Sequence, residues 1–261
     1  MNDHVSDRAS VKSGGDGLVL VQATEITGVW KLLFNRPPVN AMSMAMYSAV
    51  IDALDELEHL PDVACVLVGS AVEGAFCAGA DANELDVRKG MSTEQWDARE
   101  ALTLNFQARI ENFAVPTIAV IDGYAIGAGL VFASLCDLRF SSERSWFSLP
   151  ELDVSRLGGA SHSLRIFPQA VVRAMYFQGL RVQASKALAL GAVNEVVGKD
   201  ELWLAAMDAA AQIAQRDPYA LRLAKRALNL GQSAPTLIGD RMERLYSYRL
   251  AMTDRAQDTR E

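Results

Sequence analysis

The stretch IDGYAIGAGLVFASLCDLRFSSERSWFSLPE, residues 121–151, is the part of the sequence that decides the fold. An apolar strand-like run at Thr117–Ile121 leads into a glycine-rich turn at Asp122–Gly129, and an apolar helical segment at Leu130–Cys136 follows. Small residues at 127–129 allow another group to approach the main chain, and a helix that begins there directs unpaired N–H groups at that group. Such a turn suits an anion, or an oxygen that becomes anionic during a reaction. Taken alone, the pattern is also explained by a tight turn that needs glycine only for packing.

Composition is that of an ordinary globular protein. The 261 residues can bury a large core, 50% of them are hydrophobic and 22% are charged. The net charge of −7 argues against nucleic acid or an anionic membrane surface as the main partner. No apolar run is long enough to span a bilayer, and we expect a cytoplasmic protein.

The cysteines and histidines favour neither disulfides nor a metal site. Cys65, Cys77 and Cys136 are widely spaced and lie in apolar contexts, so we expect buried free thiols in a reducing compartment. No pair has CxxC spacing, and the three histidines are scattered along the chain. We therefore expect no metal ion.

Alternation of strands and helices predicts an α/β fold with a parallel sheet and right-handed crossovers. Ser43 and Ser92 are predicted N-caps of helices that reach about His59 and Phe113. After Glu151 the sequence is mostly helical. Strands are predicted at Leu18–Ile26, Val29–Phe34, Ala64–Gly69, Thr117–Ile121 and Glu195–Val197. We expect three regions: a disordered polar tail at 1–16, an α/β core at 17–198 and a helical region at 199–261.

Four separate stretches of the sequence match the motifs of a single family, both in their order and in their spacing. They are NRPPVNAM (35–42), FCAGADANEL (76–85), DGYAIGAGLVFASLCDLRFS (122–141) and FSLPEL (147–152). They resemble the motifs of the crotonase family, the enoyl-CoA hydratase/isomerase superfamily, and the segment at 180–197 resembles that family too. The resemblance runs from about Leu18 to Arg255. It implies a crotonase-like spiral of ββα units, with a helical C-terminal region that packs at the interface of a homotrimer or a dimer of trimers.

The resemblance also implies a substrate and a site. Members of the family bind acyl-CoA thioesters, so coenzyme A is part of the substrate and no separate cofactor is expected. Two backbone N–H groups hold the thioester oxygen and stabilise an enolate, and by motif these belong to Ala80 and Ala128. Main-chain donors suit this task because no rotamer change can remove them, and they are aimed at charge that develops in the transition state. The substrate-binding positions implied by the same motifs are Ala78, Gly79, Asp81, Gly127 and Val131.

This chain departs from the family pattern at the catalytic residues. Hydratases of the family resemble one another in having two glutamates that face one water. The second is present as Glu151, but the first position is Val131, which cannot move a proton. Ala128 replaces a usual glycine and keeps its N–H group. The chain also ends before a basic and aromatic segment that many members use around the CoA phosphates, so we expect CoA affinity or trimer contacts to differ.

Glu151 is the predicted acid/base residue. Its apolar neighbours favour a partly desolvated carboxyl group with a raised pKa, although a solvated loop acid is the simpler alternative. The polar residues that could replace the missing glutamate are Asp153, Arg156 and His162. Cys77 is expected to fill apolar space, since no base accompanies it.

A single carboxylate beside an oxyanion hole can move a proton between two carbons of an enolate. The sequence therefore favours a Δ3,Δ2-enoyl-CoA isomerase. Three alternatives remain: hydration by Glu151 alone, decarboxylation or C–C hydrolysis of an acyl-CoA, and a non-catalytic CoA-binding protein. The acyl group is not specified, and we expect Met91, Trp96 and the segment to Phe106 to border its pocket.

Overall fold

The computed structural model describes residues 17–60, 62–87, 90–154, 156–233 and 236–252. The tail expected at 1–16 and the chain end after Met252 lie outside these residues, and so does the last part of the predicted 199–261 region.

Two sheets form the centre of the molecule. The strands in chain order are β1 (Val19–Ala23), β2 (Val29–Phe34), β3 (Cys65–Ser70), β4 (Ala75–Cys77), β5 (Thr117–Ile121), β6 (Tyr124–Ile126), β7 (Leu138–Ser142), β8 (Trp146–Ser148), β9 (Val182–Gln183) and β10 (Glu195–Val197). A six-stranded sheet has the order β1-β2-β3-β5-β7-β10, and a four-stranded sheet has the order β4-β6-β8-β9. The pairs β1–β2 and β8–β9 are antiparallel, and all other neighbours are parallel.

Helices follow the strand pairs, and the last three helices of the described residues come after the final strand. They are α1 (Met44–His59), α2 (Ala82–Val87), α3 (Thr93–Glu111), α4 (Ala128–Leu135), α5 (Ala160–Ser163), α6 (Gln169–Gln178), α7 (Ala184–Ala189), α8 (Leu202–Ala214), α9 (Pro218–Ser233) and α10 (Thr236–Ala251). Strand β3 is followed by β4, β5 by β6 and β7 by β8, so the chain passes repeatedly from the large sheet to the small one and then into helix. This is the expected spiral of ββα units, with a helical C-terminal region.

Two apolar cores hold the sheets. The larger core lies around α1, α4 and the facing sides of the strands, and includes the rings of Phe34 and Phe132, whose centroids are 4.9 Å apart. The smaller core lies on the other face of the six-stranded sheet, where α8 packs Leu202 and Met207 against Leu67 and its neighbours. Strands β3 and β5 are therefore buried on both faces, which explains their continuous apolar sequences.

Most predicted boundaries agree with the structure. Ser43 accepts a hydrogen bond from the Met46 N–H, and Ser92 forms a reciprocal capping box with Gln95. The first strand, however, ends at Ala23 and not at Ile26.

Two expectations about the central stretch were wrong. The glycine-rich segment at 122–129 is not only a turn, because it contains β6. Helix α4 begins at Ala128, two residues before the expected Leu130, because the small residues at 128 and 129 already adopt helical geometry against the β4 backbone. The small sheet as a whole was not predicted.

Helix α9 is fixed to the body by a buried lysine. Lys225 is 5% exposed, and its ammonium group donates to Asp137 Oδ2 at 2.7 Å and to Val115 O at 3.0 Å. Asn229, one turn further on, donates to Glu111 O at 2.6 Å. Helix α9 is thus bonded to the residues just before β5 and β7.

Candidate active site

The first of two facing turns, residues 78–81, is held by the loop at 35–42. The amide of the fully buried Asn40 donates to the carbonyl oxygens of Ala75 and Phe76, at 3.1 Å each. The Met42 N–H donates to Gly79 O at 2.7 Å, and the Asp81 N–H donates to Met42 O at 3.1 Å. These bonds fix the turn on both sides of Ala80.

The Ala80 N–H itself donates to no acceptor among the described residues. It is therefore available to a ligand, at a position that the neighbouring backbone hydrogen bonds make rigid.

The second turn lies at the start of α4. Gly127 has φ of 50°, and its N–H donates to Ser148 O at 3.0 Å. Ala128 is the first residue of the helix, so its N–H has no acceptor within the helix, and none is found elsewhere in the described chain. This N–H lies at the positive end of the helix, which favours a partly negative oxygen.

The structure brings the two turns together. Gly79 has φ of +95°, and a Cβ built on it would lie 3.8 Å from the Ala128 nitrogen and 3.0 Å from Ile126 O. A Cβ built on Gly127 would lie 3.8 Å from Gly79 Cα. Glycine at 79 and 127 is thus required by both the backbone angle and the close approach. The unpaired N–H groups of Ala80 and Ala128 flank this contact.

Glu151 lies directly against the second turn. A Cβ built on Gly127 would lie 2.8 Å from Glu151 Oε1, so any side chain at 127 would collide with the carboxyl group. The second oxygen, Oε2, is buried and has no hydrogen-bond partner among the described residues. Burial raises the pKa of Glu151 to about 7, because it disfavours the charged form. The carboxyl group can therefore both accept and donate a proton near neutral pH.

Val131 faces the same space as Glu151. A Cβ built on Gly159 would lie 3.0 Å from Val131 Cγ2, 3.2 Å from Leu149 Cδ2 and 3.8 Å from Glu151 Oε1. The side chain at position 131 therefore occupies an apolar wall next to the carboxyl group. No second acid accompanies Glu151 at this position.

The other polar residues near Glu151 have different surroundings. Asp153 is exposed on the short 3-10 helix Glu151–Val154. Burial lowers the pKa of His162, and its charged neighbours are Glu111 and Arg165, near the end of α3. Arg156 is half-buried, and its backbone N–H donates to Glu151 O at 2.8 Å. Glu151 Oε2 accepts no hydrogen bond from the side chains of these residues.

Asp81 is engaged within the protein. Its carboxylate is paired with Arg36 at 2.5 Å and accepts the Asn83 N–H at 2.9 Å. Burial acts to raise the pKa of Asp81, but these hydrogen bonds outweigh it and the pKa is lowered. The carboxylate thus supports the first turn. Contact of Asp81 and Ala78 with CoA stays a prediction.

The three cysteines are buried free thiols, as predicted. Burial raises the pKa of each to about 12, so they remain protonated near neutral pH. Cys77 packs behind the second turn, where a Cβ built on Gly129 would lie 3.0 Å from its Sγ. It is a packing residue and not a nucleophile. Among the described residues, no three His, Cys, Asp or Glu side chains are grouped as metal ligands are.

Sequence reasoning missed two features of the site. Tyr47, on α1, is buried with its ring centroid 4.5 Å from that of Phe106, and Arg99, on α3, is buried and paired with Glu84 at 2.9 Å, shortly after the first turn. The apolar spacing of α1 gave Tyr47 no distinct signal, because an aromatic residue on the buried stripe of a helix is usually core.

Comparison with known proteins gives one consistent result. A family model described as enoyl-CoA hydratase/isomerase matches residues 24–254. The chain is 31% identical over 242 residues to a (7aS)-7a-methyl-1,5-dioxo-2,3,5,6,7,7a-hexahydro-1H-indene-carboxyl-CoA hydrolase of Mycobacterium tuberculosis, covering 93% of this chain and 97% of that protein. It is 32% identical over 228 residues to a 2,3-dehydroadipyl-CoA hydratase of Escherichia coli, covering 85% and 87%. A solved enoyl-CoA hydratase from Bacillus anthracis superposes with a TM-score of 0.83 at 28% identity, covering 91% and 92%.

Proposed function

The chain belongs to the enoyl-CoA hydratase/isomerase family, and from this premise we propose that it moves a carbon–carbon double bond in an acyl-CoA thioester. Its substrate is a β,γ-enoyl-CoA and its product the α,β isomer. In this proposal the N–H groups of Ala80 and Ala128 hold the thioester oxygen. The observation that carries the proposal is the single unpaired carboxyl group of Glu151, which lies against the second turn and opposite Val131.

The reaction needs one proton carrier. The Glu151 carboxylate removes a proton from C2, and the electron pair moves into the thioester carbonyl to give a dienolate. The two N–H groups stabilise the negative oxygen, a contribution of roughly 3–4 kcal/mol for each donor in other enzymes. The Glu151 carboxylic acid then returns the same proton to C4, and the double bond forms between C2 and C3. A pKa of about 7 suits both steps.

The apolar wall at Val131 supports isomerisation over hydration. Addition of water to a 2-enoyl-CoA needs a group that orients the water, and in two-glutamate members the first glutamate supplies one. Val131 has no polar atom to offer, and it is 5% exposed. Hydration by Glu151 alone would lack this second contact.

A second candidate function is C–C hydrolysis of an acyl-CoA. It is favoured by the 31% identity to a protein named as a carboxyl-CoA hydrolase, nearly all of which this chain covers. This reaction would use the same two N–H groups, with Glu151 as the base that activates water.

The test is the ratio of isomerisation to hydration rates in the wild type, Glu151→Gln and Val131→Glu. We expect the wild type to isomerise a 3-enoyl-CoA faster than it hydrates a 2-enoyl-CoA. Glu151→Gln should lower turnover by about 10²–10⁴-fold with acyl-CoA binding largely kept, since the amide cannot act as a base. Val131→Glu should shift the ratio towards hydration, provided the helix accepts the buried charge.

Two matched variants serve as controls. Glu143→Gln makes the same change at an exposed position and should leave turnover unchanged. Val131→Leu enlarges the side chain without adding a polar atom that could orient water, and should not gain hydration. Wild-type hydration that is fast and survives Glu151→Gln would contradict the assignment. Release of a C–C cleavage product in a screen of acyl-CoA thioesters would favour the second candidate.

A further inference from the structure

The loop at 156–159 lies next to the Glu151 carboxyl group. A Cβ built on Gly159 would lie 3.0 Å from Val131 Cγ2, 3.2 Å from Leu149 Cδ2 and 3.8 Å from Glu151 Oε1. Gly159 has φ of 76°, so both its backbone angle and this close approach favour a residue without a side chain. The backbone at Gly159 therefore forms one wall of the space around the carboxyl group.

Packing does little to hold this loop in place. Leu157 is 82% exposed, and a Cβ built on Gly158 would meet no atom within 4 Å. Gly158 has φ of 146°, a backbone conformation that residues with a side chain rarely adopt. The loop therefore depends on contacts other than buried apolar side chains to keep its position.

The Tyr176 hydroxyl group supplies such contacts. It accepts a hydrogen bond from the Gly158 N–H at 2.7 Å and donates one to Gly158 O at 2.8 Å. Within the described part of the chain, no other hydrogen bond reaches the backbone of residues 157 and 158. Tyr176 lies on α6, which packs against both α5 and the 3-10 helix Glu151–Val154. One side chain on a regular helix thus holds both polar backbone groups of the residue before Gly159.

We propose that Tyr176 is a positioning residue for Glu151: its hydroxyl group holds Gly158 and so keeps the wall at Gly159 closed against water. The inference rests on the proposed function in that Glu151 is the proton carrier, but the wall can be tested without knowledge of the reaction. Loss of the hydroxyl group would leave both backbone groups of Gly158 without their partner and free the loop to open. Water would then reach the carboxyl group and stabilise its charged form.

The wall acts through burial and not through charge. Helix α4 has no charged or titratable side chain. Besides Glu151 itself, those of the first turn, the 3-10 helix, the loop, α5 and α6 are Asp81, Asp153, Arg156, His162, Arg173 and Tyr176. The pKa of Glu151 is raised to about 7 by burial and by none of these groups. Opening of the loop should therefore move this pKa towards its ordinary value of 4.5.

The test compares the pH dependence of stability in two backgrounds. With Tyr176 present, Glu151→Gln should raise the free energy of unfolding more at pH 8 than at pH 5, because the buried charge destabilises the folded protein at pH 8. In the Tyr176→Phe background this excess should fall by about half or more, since the carboxyl group is hydrated there. Urea unfolding at one protein concentration measures both differences. Hydrogen exchange over residues 152–160 should be faster in Tyr176→Phe.

Activity gives a second readout. With an acyl-CoA that the wild type turns over, kcat/KM should rise with pH through a midpoint of about 7, because Glu151 acts as a base. Tyr176→Phe should lower this midpoint by about one pH unit. A hydroxyl group that only stabilised the fold would change the rate without moving the midpoint. Tyr219→Phe makes the same substitution on α9 and should leave the midpoint unchanged.

A variant on the other side of the contact should act in the same direction. Gly158→Ala strains the loop through its backbone angle, while its methyl group meets no atom within 4 Å. It should therefore lower the midpoint as Tyr176→Phe does. Gly191→Ala is the matched control, because Gly191 has φ of 73° and a Cβ there also meets no atom within 4 Å.

The outcomes separate this inference from the proposed function. A midpoint and a pH dependence of stability that both stay unchanged in Tyr176→Phe would overturn the inference, as would a loss of kcat at an unchanged midpoint. Either result leaves the proposed function intact. Turnover that survives Glu151→Gln would overturn the proposed function, and the stability comparison would still decide whether Tyr176 keeps the wall closed.

Discussion

Glu151 should make the stability of the folded protein depend on pH. Its pKa is about 7 in the folded state, against an ordinary value of 4.5 when the chain is unfolded. A carboxyl group with a raised pKa contributes stability that is fully present below about 4.5 and is lost as the pH rises through about 7. The buried charge therefore destabilises the folded protein at alkaline pH.

Glu151→Gln removes this titration. We expect the variant to gain free energy of unfolding over the wild type at pH 8, and to show a much smaller difference at pH 5. Urea unfolding at both values measures the change, with Glu143→Gln as the exposed control. A gain that is the same at both values would mean that the Glu151 carboxyl group is not desolvated in the folded protein.

Individual residues of the site were predictable to different degrees. Glu151 could be predicted from the sequence because the apolar residues on either side of it are adjacent in the chain. The structure gives Glu151 the raised pKa that those neighbours indicated. The Ala128 N–H could also be predicted, because the glycine-rich turn and the start of the helix are contiguous in the sequence. The ion pair of Arg36 with Asp81 was not predicted, since the two residues are 45 positions apart in sequence and meet only when the loop at 35–42 packs against the first turn. Such contacts depend on the tertiary fold.

A buried ion pair contributes to the attachment of helix α9. Lys225→Met should lower the free energy of unfolding by about 3 kcal/mol or more, since it leaves Asp137 without its cation and Val115 O without its donor. Lys199→Met is the matched control, because Lys199 pairs with Glu73 at the surface and should cost less than about 1 kcal/mol. Urea titration of both variants provides the comparison. Equal losses would show that Lys225 is not an anchor.

Secondary structure was predictable where it is long or periodic. The caps at Ser43 and Ser92 and the strand Thr117–Ile121 follow from local chemistry, and the structure confirms them. The small sheet was not predictable, since β4, β6 and β8 have three residues each and β9 has two. Segments of that length have no measurable alternation, and they are strands only because the neighbouring ββα unit supplies a partner.

The assembled protein is expected to be a trimer or a dimer of trimers. Large apolar side chains remain exposed on the single chain, including Leu237 and Tyr248 on α10 and Leu157 after the 3-10 helix, at 63%, 62% and 82%. An interface between copies of the chain would cover such side chains. Light scattering should give a mass of three or six times 28.3 kDa, and Tyr248→Asp should shift it towards lower values. A monomer over the full concentration range would contradict this.

The peptide backbone supplies both proposed donors, and that has an evolutionary consequence. Replacement of the side chain at 80 or 128 leaves the N–H in place as long as the two turns fold, so the capacity to activate a thioester survives most mutations there. Position 131, by contrast, contributes only a side chain to the wall opposite Glu151. Valine and glutamate codons that end in a purine differ by one base. Under the proposed function, a single nucleotide change at codon 131 is therefore the step that separates isomerisation from hydration, and it leaves both backbone donors in place.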